Sequence, residues 1–199
     1  NWEDKCGSDE GATRKWPKRC TDAGTSGVMF RVEVRQYRDG HQIGVETEWA
    51  PETGKKILER HLDDQGHNHG AFRSWDDRGR PVDAVHFKAG ELEGKAEYWE
   101  PAGKRAARGV YKGGERDGKW EAFYPTGRRF RQGSYRAGRL DGAWWFWDPK
   151  GKVLSSTKLI DGAGPWIDWA LVEGVPVKRA EGALQKGQPV GEWVFHSKD

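Results

Sequence analysis

Cysteine is nearly absent from this 199-residue chain, with two residues, and methionine occurs once. Aliphatic side chains are scarce as well: Leu, Ile, Val and Phe together make up 32 of the 199 residues. So thin a supply excludes an ordinary aliphatic globular core, and with a high net charge it would suggest disorder. The formal net charge, however, is only +3, and twelve tryptophans are present. No stretch approaches the ~20 consecutive apolar residues that span a bilayer as a helix, so the sequence predicts a soluble chain. The longest aromatic run is "WWFW", Trp144 to Trp147.

Catalytic signatures are also missing. There is no Gly-x-Ser-x-Gly nucleophile elbow and no phosphate-binding loop; the nearest approach to the latter, "GERDGKW", is too short and has no hydroxyl after its Lys. Glu91 with Glu93 and Glu97 with Glu100 are carboxylate pairs by spacing. Nothing apolar surrounds them to raise a pKa into the range of a general acid. In "HLDDQGHNHG", His61, Asp63, Asp64, His67 and His69 offer metal-ligand chemistry. His67 and His69 nevertheless fill positions that other copies of the same motif give to many residue types, so turn residues explain them. The sequence predicts no enzyme, no cofactor and no metal.

What is present is a period. The pentapeptide Gly-x-x-x-Gly recurs as "GHQIG", "GHNHG", "GELEG", "GERDG", "GRLDG" and "GQPVG", closing at Gly44, Gly70, Gly94, Gly118, Gly142 and Gly191. The closing glycines are 26, 24, 24, 24 and 49 residues apart, so the last gap holds a degenerate unit opening at Gly164. A fixed period of this length signals a repeat architecture. Counted from each closing Gly, offset five carries Trp49, Trp75, Trp99, Phe123, Trp147 and Trp169, with His196 in the final unit. Offset two carries Phe72, Trp120, Trp144, Trp166 and Trp193. Nine of the twelve tryptophans lie on these two offsets, and this phasing argues for order. Pro51, Pro101, Pro125 and Pro149 occupy offset seven, and Gly54, Gly79, Gly103, Gly127, Gly151 and Gly174 follow. Aromatic and β-branched runs between Gly and Pro turns read as two short strands and two turns per unit. Offsets two and five differ by three, so strict strand alternation puts the two ladders on opposite faces unless a bulge realigns them.

"YRAGRLDGAWWFWDPKGK" (Tyr135 to Lys152) and "YKGGERDGKWEAFYPTGR" (Tyr111 to Arg128) resemble MORN-type repeats, in the bacterial variant with the look "Y..G...G.W..Y...GK". The resemblance covers roughly residues 27 to 199 and is strongest from Gly70 to Gly162. It implies an all-β, elongated array of about six or seven antiparallel β-hairpins of about 24 residues each. It also implies an interaction module; some members of the family are linked to membrane lipids, and one bacterial branch to antitoxins.

Two regions follow: an N-terminal cap, 1–26, and the repeat array, 27–199. The cap holds both cysteines, Cys6 and Cys20. An even count confined to one loop-rich segment suggests a disulfide and an oxidising, extracytoplasmic compartment: periplasm, cell surface or secreted. Two free thiols and a zinc site are the rival readings, and zinc would need two further ligands.

The ladder residues Trp75, Trp99, Trp120, Trp144, Trp147, Trp166 and Trp169 are either core or the lining of an open groove. Charge adds a second candidate surface. Lys104 to Arg139 holds eleven basic residues against three acids. Arg80, Lys104, Arg128 and Lys152 share one offset, Arg136 follows in another column with Lys88 and Lys112, and Arg129 and Arg131 add to the same segment. Stacked cations about 10 Å apart would attract an acidic partner; an oxidising compartment disfavours nucleic acid as that partner. The expectation is a non-enzymatic protein-binding or scaffold component of a bacterial envelope or cell surface. The alternatives are an immunity or antitoxin protein and a binder of anionic lipid or envelope polymer.

Overall fold

The computed structural model describes residues 33–196; the cap and the Cys6–Cys20 pairing lie outside these residues. The described chain is all-β, with fifteen strands in consecutive antiparallel hairpins. It divides into two compact units, one up to Gly90 and one from Glu91 onward.

The first unit contains β1 (Glu33–Arg38), β2 (His41–Trp49), β3 (Lys56–Leu62), β4 (Asn68–Trp75) and β5 (Pro81–Lys88), each paired with the next. The second begins with β6 (Glu91–Leu92), followed by β7 (Gly94–Trp99), β8 (Arg105–Lys112), β9 (Glu115–Phe123), β10 (Arg129–Arg136), β11 (Arg139–Trp147) and β12 (Val153–Leu159). Strands β7 to β12 form a meander in sequence order. A separate three-stranded sheet follows, of β13 (Gly164–Val172), β14 (Val175–Gln185) and β15 (Gln188–Phe195).

The two turns of each unit differ in kind. The pentapeptide opens on a two-residue turn: Ala137 and Gly138 both have positive φ (46° and 73°) between Arg136 and Arg139, the geometry that matches strand twist. The Pro-bearing turn is a longer one. At "DPKG", the Gly151 N–H donates to Asp148 O and the Asp148 N–H to Lys152 O, while Asp148 Oδ1 accepts from the Lys150 and Lys152 N–H groups at 2.8 Å. Asp76 holds the turn before Arg80 in the same way. Asp63 likewise accepts from the Gln65 and His67 N–H groups, so the His-rich segment is built as a turn.

The closing Gly of the pentapeptide is a bulge. Ser134 pairs with Asp141 and Gln132 with Trp145, so two steps along β10 match four along β11 around Gly142. The same slip recurs at Gly44, Gly118 and Gly191. The slip includes offset two, and from Trp144 the strand pairs regularly with β12 as far as Phe146.

The degenerate unit departs from the expected array. Gly174, read as the Gly of a Pro-bearing turn, instead closes a two-residue turn with Glu173 (φ 77° and 52°), and Val172 pairs directly with Val175. Upstream, Asp161 and Gly162 turn the chain so tightly that only Ile160 and Ala163 bridge before β13 begins in another sheet. The cause is local: this unit has only one residue between Gly162 and Gly164, where the others have three between their glycines. Trp166, Trp169, Leu171, Leu184 and Trp193 of the three-stranded sheet pack on a cluster of Tyr124, Phe130, Trp144, Phe146 and Leu159. That cluster is the core of the second unit.

Candidate functional site

On β11 the two aromatic ladders occupy opposite faces of the sheet. On β11, Trp144 and Phe146 are buried, whereas Trp145 between them is 40 % exposed and stacks on Trp147 at 6.5 Å with an interplanar angle of 21°. Offset two therefore shares the core face with offset four, and offset five lies on the other side. The open-groove reading of the ladder fails for Trp120 and Trp144, which are 6 % and 2 % exposed. In the three-stranded sheet the separation breaks down: Trp166 at offset two and Trp169 at offset five, with a register shift between Asp168 and Trp169, both pack on the core, and the Trp169 indole N–H donates to Ser155 Oγ at 3.0 Å.

A buried Trp needs room, and glycine supplies it. A Cβ built on Gly109, Gly133 or Gly182 would lie within 2.5 Å of the indole of Trp120, Trp144 or Trp193 respectively. Each indole therefore lies flat across a glycine on the neighbouring strand. Tyrosines close the other side: Tyr111 meets Trp120 edge-on at 5.1 Å and Tyr135 meets Trp144 at 5.2 Å. In the first hairpin an ion pair replaces this stack. Glu46, at offset two and 1 % exposed, binds Arg35 at 3.0 Å and Arg60. Burial works to raise its pKa, but the hydrogen bonds and charge of Arg60, with Gln42 and Arg35, hold it below the ordinary value.

The opposite face combines aromatic rings with ion pairs. Trp75 lies under Lys56, Phe123 under Arg108 and Trp147 under Arg129, with cation-to-centroid distances of 5.9, 5.6 and 5.3 Å. Trp99 is half-buried. Glu121, 4 % exposed, is gripped by Arg108 (2.6 Å), Arg129 (2.9 Å) and Lys119 (3.3 Å). Burial would raise its pKa, yet Arg108 above all keeps it low.

Several of the basic residues are engaged by neighbouring groups. Arg80 pairs with Asp76 at 2.7 Å and Arg136 with Asp141 at 2.9 Å. Arg128 donates to Pro149 O and Lys150 O of the next Pro-bearing turn. Lys104 and Lys152 are exposed at the same end of their strands. Arg129 and Arg131 part company at a bulge: Arg129 pairs with Phe123 but Arg131 with Ala122. Arg129 thus lies over Trp147, while Arg131 reaches the core face.

There, strands β7 to β11 enclose a cleft of about 400 Å³ walled by Tyr98, Tyr111, Trp120, Tyr135 and Trp144. Arg116 lies across it, 4.6 Å from the Trp120 ring centroid and 5.4 Å from that of Tyr135, and donates to Tyr135 Oη at 3.2 Å. Burial would lower the Arg116 pKa, but the two tyrosines outweigh it and raise the value. Tyr98 and Tyr111 hydroxyls lie 3.3 Å apart. The period alone did not reveal Arg116, Tyr98 or the glycines under the indoles. One signal was legible for the glycines: Gly109, Gly133 and Gly182 each stand eleven residues before a Trp. No protein-family model matches this chain, and no curated protein matches it.

Proposed function

We propose that this chain is a non-enzymatic MORN-like repeat module whose work is to bind another protein. The observation that carries the reading is β15, the terminal strand of the three-stranded sheet, which pairs with β14 alone among the described strands. Its Val194 and Phe195 are 55 % and 78 % exposed, and its single charged residue is Glu192. Natural edge strands are blunted by Lys, Pro or cover, because their open N–H and C=O groups template another strand. Here, among the described residues of β15, Pro189 near its start and the single charge of Glu192 serve that end. A partner strand laid along β15 would satisfy the backbone and cover the exposed side chains.

The buried acids support a binding role over catalysis. Glu46 and Glu121 are held ionised by arginines, the state of structural ion pairs and the opposite of a general acid poised by a raised pKa. An extracytoplasmic location belongs to the same proposal and rests on the cysteine pair of residues 1–26.

The test is capture from the source cell's envelope and culture fluid on the immobilised full chain, comparing wild type with Val194→Lys/Phe195→Lys and with Arg128→Gln. A protein retained through a salt wash by wild type and Arg128→Gln, and lost on the β15 variant, is the expected outcome. Recovery of only lipid or polymer, released by salt and by Arg128→Gln, would replace this reading.

A further inference from the structure

The cleft on the core face of β7 to β11 is a separate matter from the β15 edge. Its walls carry two guanidinium groups without a carboxylate partner. Arg116 is engaged by the Trp120 and Tyr135 rings and by tyrosine hydroxyls. Arg131 is half-buried and, among the described residues, has no ion pair or side-chain hydrogen bond. The one acid among the lining residues, Glu121, is already gripped by Arg108, Lys119 and Arg129. The positive charge of Arg116 and Arg131 is therefore uncompensated beside apolar ring faces.

A second, independent observation lies in the indoles. The Trp120 N–H donates to Val110 O at 3.0 Å and the Trp193 N–H to Ala183 O at 3.2 Å, in each case a carbonyl ten residues upstream. Trp144, equivalent by repeat and 2 % exposed, breaks the pattern: its Nε1–H is buried without an acceptor. A buried donor left unpaired is costly, and it is found in the wall of the cleft and not in the other two copies.

We propose that this cleft is a binding site for an organic carboxylate with a flat apolar body. The carboxylate would accept from Arg116 and Arg131, which suit planar oxyanions. The body would lie against the half-buried rings of Tyr98, Tyr111 and Tyr135, since Trp120 is buried beneath Arg116. The volume is that of a small-ligand site. Such a group could be free or could end a peptide chain, so two probes separate the sources: benzoate, and N-acetyl-phenylalanine as the mimic of a chain terminus.

Trp120 and Trp144 in the walls supply the signal, read as intrinsic fluorescence in the full chain, with heat release by calorimetry as a second readout. Saturable binding of either probe is expected, weakened about tenfold or more by Arg116→Gln and by Arg131→Gln, the loss typical of a charged hydrogen bond. Lys152→Gln, exposed and remote from the cleft, should leave it unchanged. Circular dichroism and thermal melting establish that each variant is folded. Benzamidine, flat but cationic, should not compete. Overturning results would be no saturable binding of either probe to folded wild type, equal affinity in the folded Arg variants, or equal binding of benzamidine. None of these bears on capture at β15, so the two readings fail separately.

Discussion

Three glycines, Gly109, Gly133 and Gly182, decide how the tryptophans of this protein pack. None has positive φ, so backbone freedom is not their reason; each lies under an indole that would collide with a Cβ. Gly133→Ala should therefore cost about 2 to 3 kcal/mol, as overpacking does in a dense core. Gly127, by contrast, has φ 85° and open space at the Cβ position, so Gly127→Ala should cost only about 1 kcal/mol of backbone strain. Chemical denaturation followed by tryptophan fluorescence checks the order; a Gly133→Ala cost no greater than that of Gly127→Ala would mean the indole can slide aside. At the same scale, Tyr124 shows what burial does to a polar core residue. Its hydroxyl donates to Trp147 O at 2.6 Å, and burial, with Asp148 nearby, pushes its pKa up to about 12.

Hairpins are the elements of this chain, and their two turns carry different chemistry. The longer turns carry an aspartate side chain accepting two backbone N–H groups at Asp76 and at Asp148, the latter ahead of Pro149. Except at Gly113–Gly114, the two-residue turns place a residue with a Cβ at positive φ before the Gly, and at Ala89 and Ala137 that residue has no side-chain oxygen to compensate. Ala137→Asn should therefore stabilise the protein by about 0.5 to 1 kcal/mol, since asparagine tolerates this conformation and Asn-Gly favours the turn. A rise in the denaturation midpoint at unchanged slope is the expected reading; no rise would mean the flanking pairs already determine the turn. The strands and turns were legible as period and composition, whereas the slip at the closing Gly was not. The failure of the period at Gly162–Gly164 was legible only as a gap, because a shortened pentapeptide does not say into which sheet the next strand goes.

Across the whole molecule, the two compact units are built on different physics. Among the described residues the first unit buries Ala50 and Leu62 as its hydrophobics, beside the polar Glu46, Thr47 and Glu48. The second buries Trp120, Tyr124, Phe130, Trp144, Phe146, Leu159 and Leu184, with Glu121 beside them. Glu46 and Glu59 have depressed pKa values, Glu46 through Arg60 against the opposing effect of burial, and Glu59 chiefly through its hydrogen bond with Lys56. A depressed carboxylate stabilises the fold above its unfolded value, near 4.5, and that contribution disappears as pH falls through the folded value. The second unit has one comparable buried acid, Glu121, but rests mainly on its aromatic core, so on acidification from neutrality the first unit should lose amide protection before the second. Pulsed hydrogen exchange, corrected for intrinsic rates, reads this directly, and Glu46→Gln should weaken the first unit already at neutral pH while removing much of its response to acid. Simultaneous loss in both units would show that they unfold as one.

The sequence by itself determined the all-β class, the 24-residue hairpin period, both kinds of turn and the placing of the ladders at offsets two and five. These are local properties: a glycine's φ, a proline's missing N–H and strand alternation act within a few residues. Only the tertiary structure decided which ladder is buried, that Arg129 and Arg131 lie on opposite faces, and that β13 to β15 pack as a separate sheet on the second unit's core. It also decided that Arg116, Arg131 and the unpaired Trp144 indole share a cleft. Burial and charge pairing are set by what neighbouring strands bring alongside, and residues 24 apart in sequence become neighbours only once the hairpins have stacked.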